Sequence, residues 1–279
     1  MPHSFRHMTL SRRRLLRSSA GGLLGLGLLG AVPSLLFSPA ALAGDAWQRL
    51  EAAQQVIGDA TPESDGLTLD LPHVSEDGSA VALTVGVEAS LDDGDYVESI
   101  HLFAAGNPNP EVAVFHLTPL AGKPEVSTRV RLNETQQVVA VARSAEGKVW
   151  ATSREVRITV SGCLMRGDDV PEALSNPRVS VPGSFTAGQP GEIRTLITHP
   201  METGLREGDD GETLPRHIIE RFKVSVDGDT AFEAELHQSV SANPYLRFHL
   251  APERSGEAVF EWHDDTGESA RETSQLNVS

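Results

Sequence analysis

The sequence predicts an all-β protein: two β-sandwich domains in tandem, with a short helix at the start of the mature chain and a cleaved signal peptide before it. Three observations carry this. Beyond residue 58 the apolar stretches mostly alternate with period two, as strands with one buried face do. The stretches are short and punctuated by Gly, Pro, Asn and Asp, which suits antiparallel sandwiches. The rhythm then breaks from Ser161 to Pro177, dividing the strand-rich chain into two.

The chain opens with a twin-arginine pattern, Ser11-Arg12-Arg13-Arg14-Leu15-Leu16-Arg17. A Leu-, Gly- and Ala-rich stretch follows from Ala20 to Phe37, and Ala41-Leu42-Ala43 is a small-x-small cleavage site. This predicts a twin-arginine signal peptide over 1–43, a mature start at Gly44 and delivery to the periplasm. The glycines, Pro33 and the cleavage motif set the segment apart from a membrane anchor. Its oxidising destination makes a free thiol there a feature that needs a reason.

The whole chain has 23 Lys+Arg and 39 Asp+Glu, a net charge of -16. Residues 1–43 hold five arginines and no acid, so the mature chain sets 18 bases against 39 acids, a net charge of -21. Such a balance argues against nucleic acid or anionic membranes as partners. It suits basic proteins, including small c-type cytochromes. No Cys-x-x-Cys-His, phosphate-cradling glycine loop, Gly-x-Ser-x-Gly or His-Glu-x-x-His occurs, and no cofactor is expected.

Asp45 is placed to cap a helix with Trp47, Leu50, Ala53 and Ile57 on one face and Gly58 at its end. Strands follow at Val81–Val87, Ile100–Phe103, Val112–Leu117, Thr128–Leu132 and Val138–Ala142, then from Val149 to Val160. Gly106-Asn107-Pro108-Asn109-Pro110 reads as a turn. In the second half, Ile193, Leu196 and Ile197 mark one strand. Phe222, Val224 and Val226 turn at Asp227-Gly228 into Phe232, Ala234 and Leu236, a strong hairpin signal. Tyr245–Leu250 and Ala258–Trp262 come next, then a turn at Asp265-Thr266-Gly267, and Leu276 and Val278 close the sheet.

Cys163 is the sole cysteine. It directly follows Ser161-Gly162, where the alternation of Val156, Ile158 and Val160 stops, so it sits at a strand tip or on a tether between the halves. Unable to form an internal disulfide, it is a reactive thiol, half of an intermolecular bridge or a small buried hydrophobe.

Thr128–Leu132, Thr135–Ala142 and the run to Val160-Ser161-Gly162-Cys163 resemble SoxY, the sulfur-carrier subunit of periplasmic thiosulfate oxidation. Ile193–Gly204, Pro215–Ile219 and Val240–Tyr245 resemble SoxZ, its partner subunit. The order is similar to that of fused SoxYZ-like carriers associated with quinoprotein dehydrogenases. The resemblance implies immunoglobulin-like sandwiches, a SoxY-like domain over 44–163, a linker over 164–177 and a SoxZ-like domain over 178–279. It implies a carrier and not an enzyme, with no catalytic residue. Cys163 becomes the covalent sulfur attachment residue and Gly162 the source of arm flexibility. Partners would be periplasmic redox enzymes or c-type cytochromes, with the two domains paired within the chain. The family arm is Gly-Gly-Cys-Gly-Gly at a free end, whereas this chain reads Ser161-Gly162-Cys163-Leu164-Met165 and continues. A loop held at both ends enters a channel as two strands, about 4.7 Å wider than one.

His199, Met201 and His217 are candidate interface residues between the halves. Neither histidine has a second ligand at metal spacing in the chain, so no metal site is expected. Arg129 and Arg131 share a strand face and suit a sulfonate or an outward solvated role. His101 and His116 lie within strands and read as solvated or satisfied residues. Two functions follow: a sulfur-compound carrier loaded on Cys163, or a non-catalytic docking protein for a quinoprotein dehydrogenase or its cytochrome, with Cys163 structural.

Overall fold

The computed structural model describes residues 46–160, 173–208 and 210–279. The expected signal peptide, Asp45, Gly162, Cys163 and residues 164–172 of the expected linker lie outside the described residues. No described helix is long and apolar enough to cross a membrane.

Among the described residues, the N-terminal half holds one helix and eight strands. These are α1 (Glu51–Ile57), β1 (Leu67–Asp70), β2 (Val74–Ser75), β3 (Val81–Val87), β4 (Val97–Ala104), β5 (Glu111–Leu117), β6 (Glu125–Val130), β7 (Gln136–Ser144) and β8 (Val149–Ile158). The C-terminal half holds β9 (Ser175–Ser180), β10 (Gly191–Thr198), β11 (Ile219–Val226), β12 (Asp229–Leu236), β13 (Tyr245–Leu250), β14 (Gly256–Asp264) and β15 (Ser269–Leu276). The chain is all-β, as expected, and the last three residues of the expected linker are already strand. Pro177 is tolerated because β9 is an edge strand, where a missing N–H breaks no ladder.

The expected helix is shorter than its apolar pattern. Ala46–Arg49 forms a 3-10 turn, and α1 starts only after Leu50, whose extended backbone (φ -108°, ψ 106°) interrupts the helix. Ala46, Ala53 and Ile57 are nonetheless buried against Phe103, Val139, Val141, Val149 and Ala151. This outer layer explains the unbroken run Val138-Val139-Ala140-Val141-Ala142. β7 is covered on both faces, so alternation is not required of it.

Two sheets face each other. One runs β1-β3-β6-β13-β10-β9 and the other β15-β14-β11-β12-β5-β4-β7-β8-β2. Each contains strands from both halves. β5 pairs with β12 from Ala113↔Leu236 to Leu117↔Phe232, and β6 meets β13 at Ser127↔Arg247. The tandem sandwiches are thus joined side by side through shared sheets. Their cores are continuous as well: Phe115 of β5 stacks on Phe232 of β12 (6.2 Å), and Phe232 on Phe248 of β13 (4.3 Å, 5° between planes). The β11–β12 hairpin turns as its sequence predicts, with Asp227 (φ 50°) and Gly228 (φ 95°) both left-handed.

Candidate functional site

Two strands end in polar residues where their alternation calls for a core residue. Along β10 the inward positions are Ile193, Thr195 and Ile197, and the next in phase is His199, fully buried. Along β14 they are Ala258, Phe260 and Trp262, and the next is Asp264, also buried. β10 and β14 belong to facing sheets, so the two meet at one end of the sandwich. His217, two residues before β11, joins them with its side chain 29% exposed.

His217 Nε2 donates to Asp264 Oδ2 at 3.0 Å. His199 Nε2 lies 4.0 Å from the same oxygen and has no hydrogen-bond partner among the described residues. His199 Nδ1 accepts the Met201 amide at 3.0 Å, which leaves the neutral ring's proton on Nε2. Burial, then the neighbouring His217, push the His199 imidazole down to about 4, against a smaller pull from Asp264 and Asp265. Burial works against ionising Asp264, yet its carboxyl is held below the ordinary value. The Thr266 hydroxyl, His217 and the amides of Glu268 and Thr266 outweigh the desolvation. The three donors from Thr266 and Glu268 all engage Oδ1, so Oδ2 alone faces the imidazoles. The ligand-capable atoms of His199, His217 and Asp264 lie within 4.8 Å of one another. Three segments far apart in sequence make the cluster, so chain spacing gave no sign of it.

The loop after His199 is fixed on several sides. Glu202 and His217 exchange backbone hydrogen bonds (2.7 and 3.0 Å), and Asn243 accepts the His199 amide through Oδ1 (3.1 Å). Arg131, from the N-terminal half, donates to the carbonyls of Met201 (2.5 Å), Pro200 (3.1 Å) and Val240 (3.2 Å). The backbone at Pro200-Met201 therefore lies at the junction of the halves, while the His199 and Met201 side chains turn into the core. Ile219 N–H donates to Met201 Sδ (3.2 Å), which is fully buried.

The segment bearing Gly162 and Cys163 is outside the described residues, but both its roots are described. It leaves after Val160, whose carbonyl accepts from Gly78 N–H (2.9 Å), on the flank formed by β8 and β2. It returns at β9, the edge strand packed against β15 on the opposite flank. Arg129 sits over the Tyr245 ring at 5.3 Å. His101 contacts Ser99 Oγ (3.2 Å), and His116 pairs with Glu235 (2.9 Å) across the β5–β12 joint.

Sequence reasoning missed Asp264, Asn243 and Asn107. Asn107 lies in the Pro-rich turn but is buried. Its Nδ2 donates to Arg131 O and Ser239 Oγ (both 2.8 Å), and its Oδ1 accepts from Gln136 Nε2 (2.8 Å) and Asn133 N–H (2.9 Å). The signal for Asp264 was present, a carboxylate one step beyond Trp262 in the inward phase.

Two family models match the chain. SoxY, described as sulfur oxidation protein SoxY, covers residues 53–163, and SoxZ, sulphur oxidation protein SoxZ, covers residues 179–275. No curated protein matches. Among solved structures, a superoxide reductase (neelaredoxin) from Ignicoccus hospitalis is 16% identical with a TM-score of 0.31, over 34% of this chain and 81% of that one. A β-glycosidase from Bacteroides vulgatus is 11% identical with a TM-score of 0.23, over 76% of this chain and 25% of that one. The family matches, in that order and on either side of the segment after Cys163, place the chain in the sulfur-oxidation carrier family as a SoxY domain followed by a SoxZ domain, a fused SoxYZ-like protein.

Proposed function

We propose that the protein is exported by the twin-arginine route and carries sulfur intermediates covalently on Cys163 in the periplasm. The observation that supports this reading most is that the SoxY match ends on Cys163, the chain's sole cysteine. Loading thiosulfate would join its outer sulfur to Sγ in a new S–S bond. Two electrons and the thiol proton are lost, the electrons leaving to a c-type cytochrome or another partner redox enzyme. The adduct is then presented to a second enzyme and released. The acidic surface of the mature chain favours encounter with basic partners.

The test is intact-protein mass spectrometry, without reductant, on protein from its native compartment. The expected result is a mature mass beginning at Gly44 plus a reducible increment on Cys163 matching added sulfur or a thiosulfonate. A bare mass, with a thiol that reacts only after unfolding, overturns it. Leu164 and Met165, standing where the family has glycines, favour a second reading: a docking protein for a quinoprotein dehydrogenase or its cytochrome. That reading expects Cys163→Ala to leave the partner complex and dehydrogenase activity intact.

A further inference from the structure

We propose that His199, His217 and Asp264 bind one divalent first-row transition-metal ion, with zinc as the type case. Two imidazoles and one carboxylate are the donor set such ions take. In a tetrahedral zinc site with bonds of about 2.0–2.1 Å, donor atoms stand roughly 3.3 Å apart. Here Asp264 Oδ2 lies 3.0 Å from His217 Nε2 and 4.0 Å from His199 Nε2, and all three donors fall within 4.8 Å. Closing the set around a cation takes contraction of up to about 1.5 Å on the longest separation.

An independent observation points to a ligand. His199 Nε2 is fully buried, faces Asp264 and has no hydrogen-bond partner among the described residues. A buried N–H without an acceptor is unfavourable, and ordinary packing does not leave one. The surroundings also suit a metal. Asp264 Oδ1 is locked by Thr266 and Glu268, which orients Oδ2. Such outer hydrogen bonds aim ligands. Binding takes the Nε2 lone pair of the neutral ring, so its proton moves to Nδ1. In that tautomer Nδ1 can no longer accept the Met201 amide, so that contact is given up on binding, and Asp264 supplies the one negative charge among the protein ligands. His217, partly exposed, marks the solvent side, where water completes the coordination. The ion would tie β10 of one sheet to β11 and β14 of the other.

The test uses the full mature chain carrying Cys163→Ser, so that the thiol contributes nothing. The metal-free protein is titrated with Zn²⁺ against a chromophoric competitor, and with Co²⁺ to read ligand-field bands. One equivalent is expected to bind, with tetrahedral-type Co²⁺ absorption and a raised melting temperature. Asp264→Asn and His217→Gln should each weaken binding by about tenfold or more. His217 is the more exposed, so His217→Gln retains the fold if Asp264→Asn does not. No stoichiometric binding in Cys163→Ser, or equal affinity in Cys163→Ser with and without His217→Gln, overturns the proposal. Neither result bears on sulfur loading of Cys163, which the mass measurement tests separately.

Discussion

Arg131 shows how one side chain acquires a role its sequence position does not announce. It suited a sulfonate, yet its guanidinium is given to the carbonyls of Pro200, Met201 and Val240. Arg131→Ala leaves these acceptors without their charged donor, and is expected to cost about 2–4 kcal/mol in urea unfolding. Arg131→Lys should restore only part, because an ammonium cannot reproduce the planar fork. His101 gives a pH-dependent counterpart. Burial, then repulsion from His116, lower its imidazole from 6.5 to about 4, with Glu235 opposing and Arg143 adding to the shift. The unfolded chain therefore takes up the proton first. The stability this neutral ring permits is intact above pH 6.5 and is lost progressively as pH falls towards 4. Urea midpoints measured between those limits should fall less steeply for His101→Gln than for the wild type. At this scale the sequence was least legible. His199 and His217 stood out as residues, but Asp264 was hidden beside a turn, and Asn107 within one.

Elements were read more successfully, for a physical reason. A half-buried strand writes its period directly into the sequence, as β3 does with Val81, Leu83, Val85 and Val87. β1 and β2 were not read because four and two residues are too few to display a period, and β9 because its pairing begins within a Pro- and Asn-rich stretch. The helix start was misread because apolar spacing shows which face is buried, and not where the backbone leaves helical angles. Connections carry their own constraints. Gly122 has φ 66°, and a Cβ added there would stand 2.5 Å from that of Ala251, after β13. Gly122→Ala is thus expected to destabilise the joint between the halves by about 1–3 kcal/mol. The same substitution at Gly147, where a Cβ meets none of the described residues within 4 Å, isolates the backbone contribution. Thermal melts of the two variants make the comparison.

For the whole molecule, strand content and the order of the halves were legible, but the sharing of both sheets was not. Pairing such as β5 with β12 joins segments far apart in the chain and leaves no local pattern. Shared sheets and a continuous aromatic core mean that the peptide link between the halves is not what holds them together. A chain cut by an inserted protease site between Val160 and Ser175 should therefore elute as one species, whereas weakly attached domains would separate on size exclusion.

The placement of that link has a consequence for traffic. Cys163 follows Val160 by three residues, so by chain length alone its Cα stays within about 11 Å of Val160. A stable protein interface covers about 800 Å² on each partner, a patch some 30 Å across. If Cys163 is the loading point, donor and acceptor enzymes must use overlapping ground on the β8 flank and cannot be bound together. Each would then act as a competitive inhibitor of the other, and flux through the carrier would peak at an intermediate ratio of the two and fall when either is in large excess.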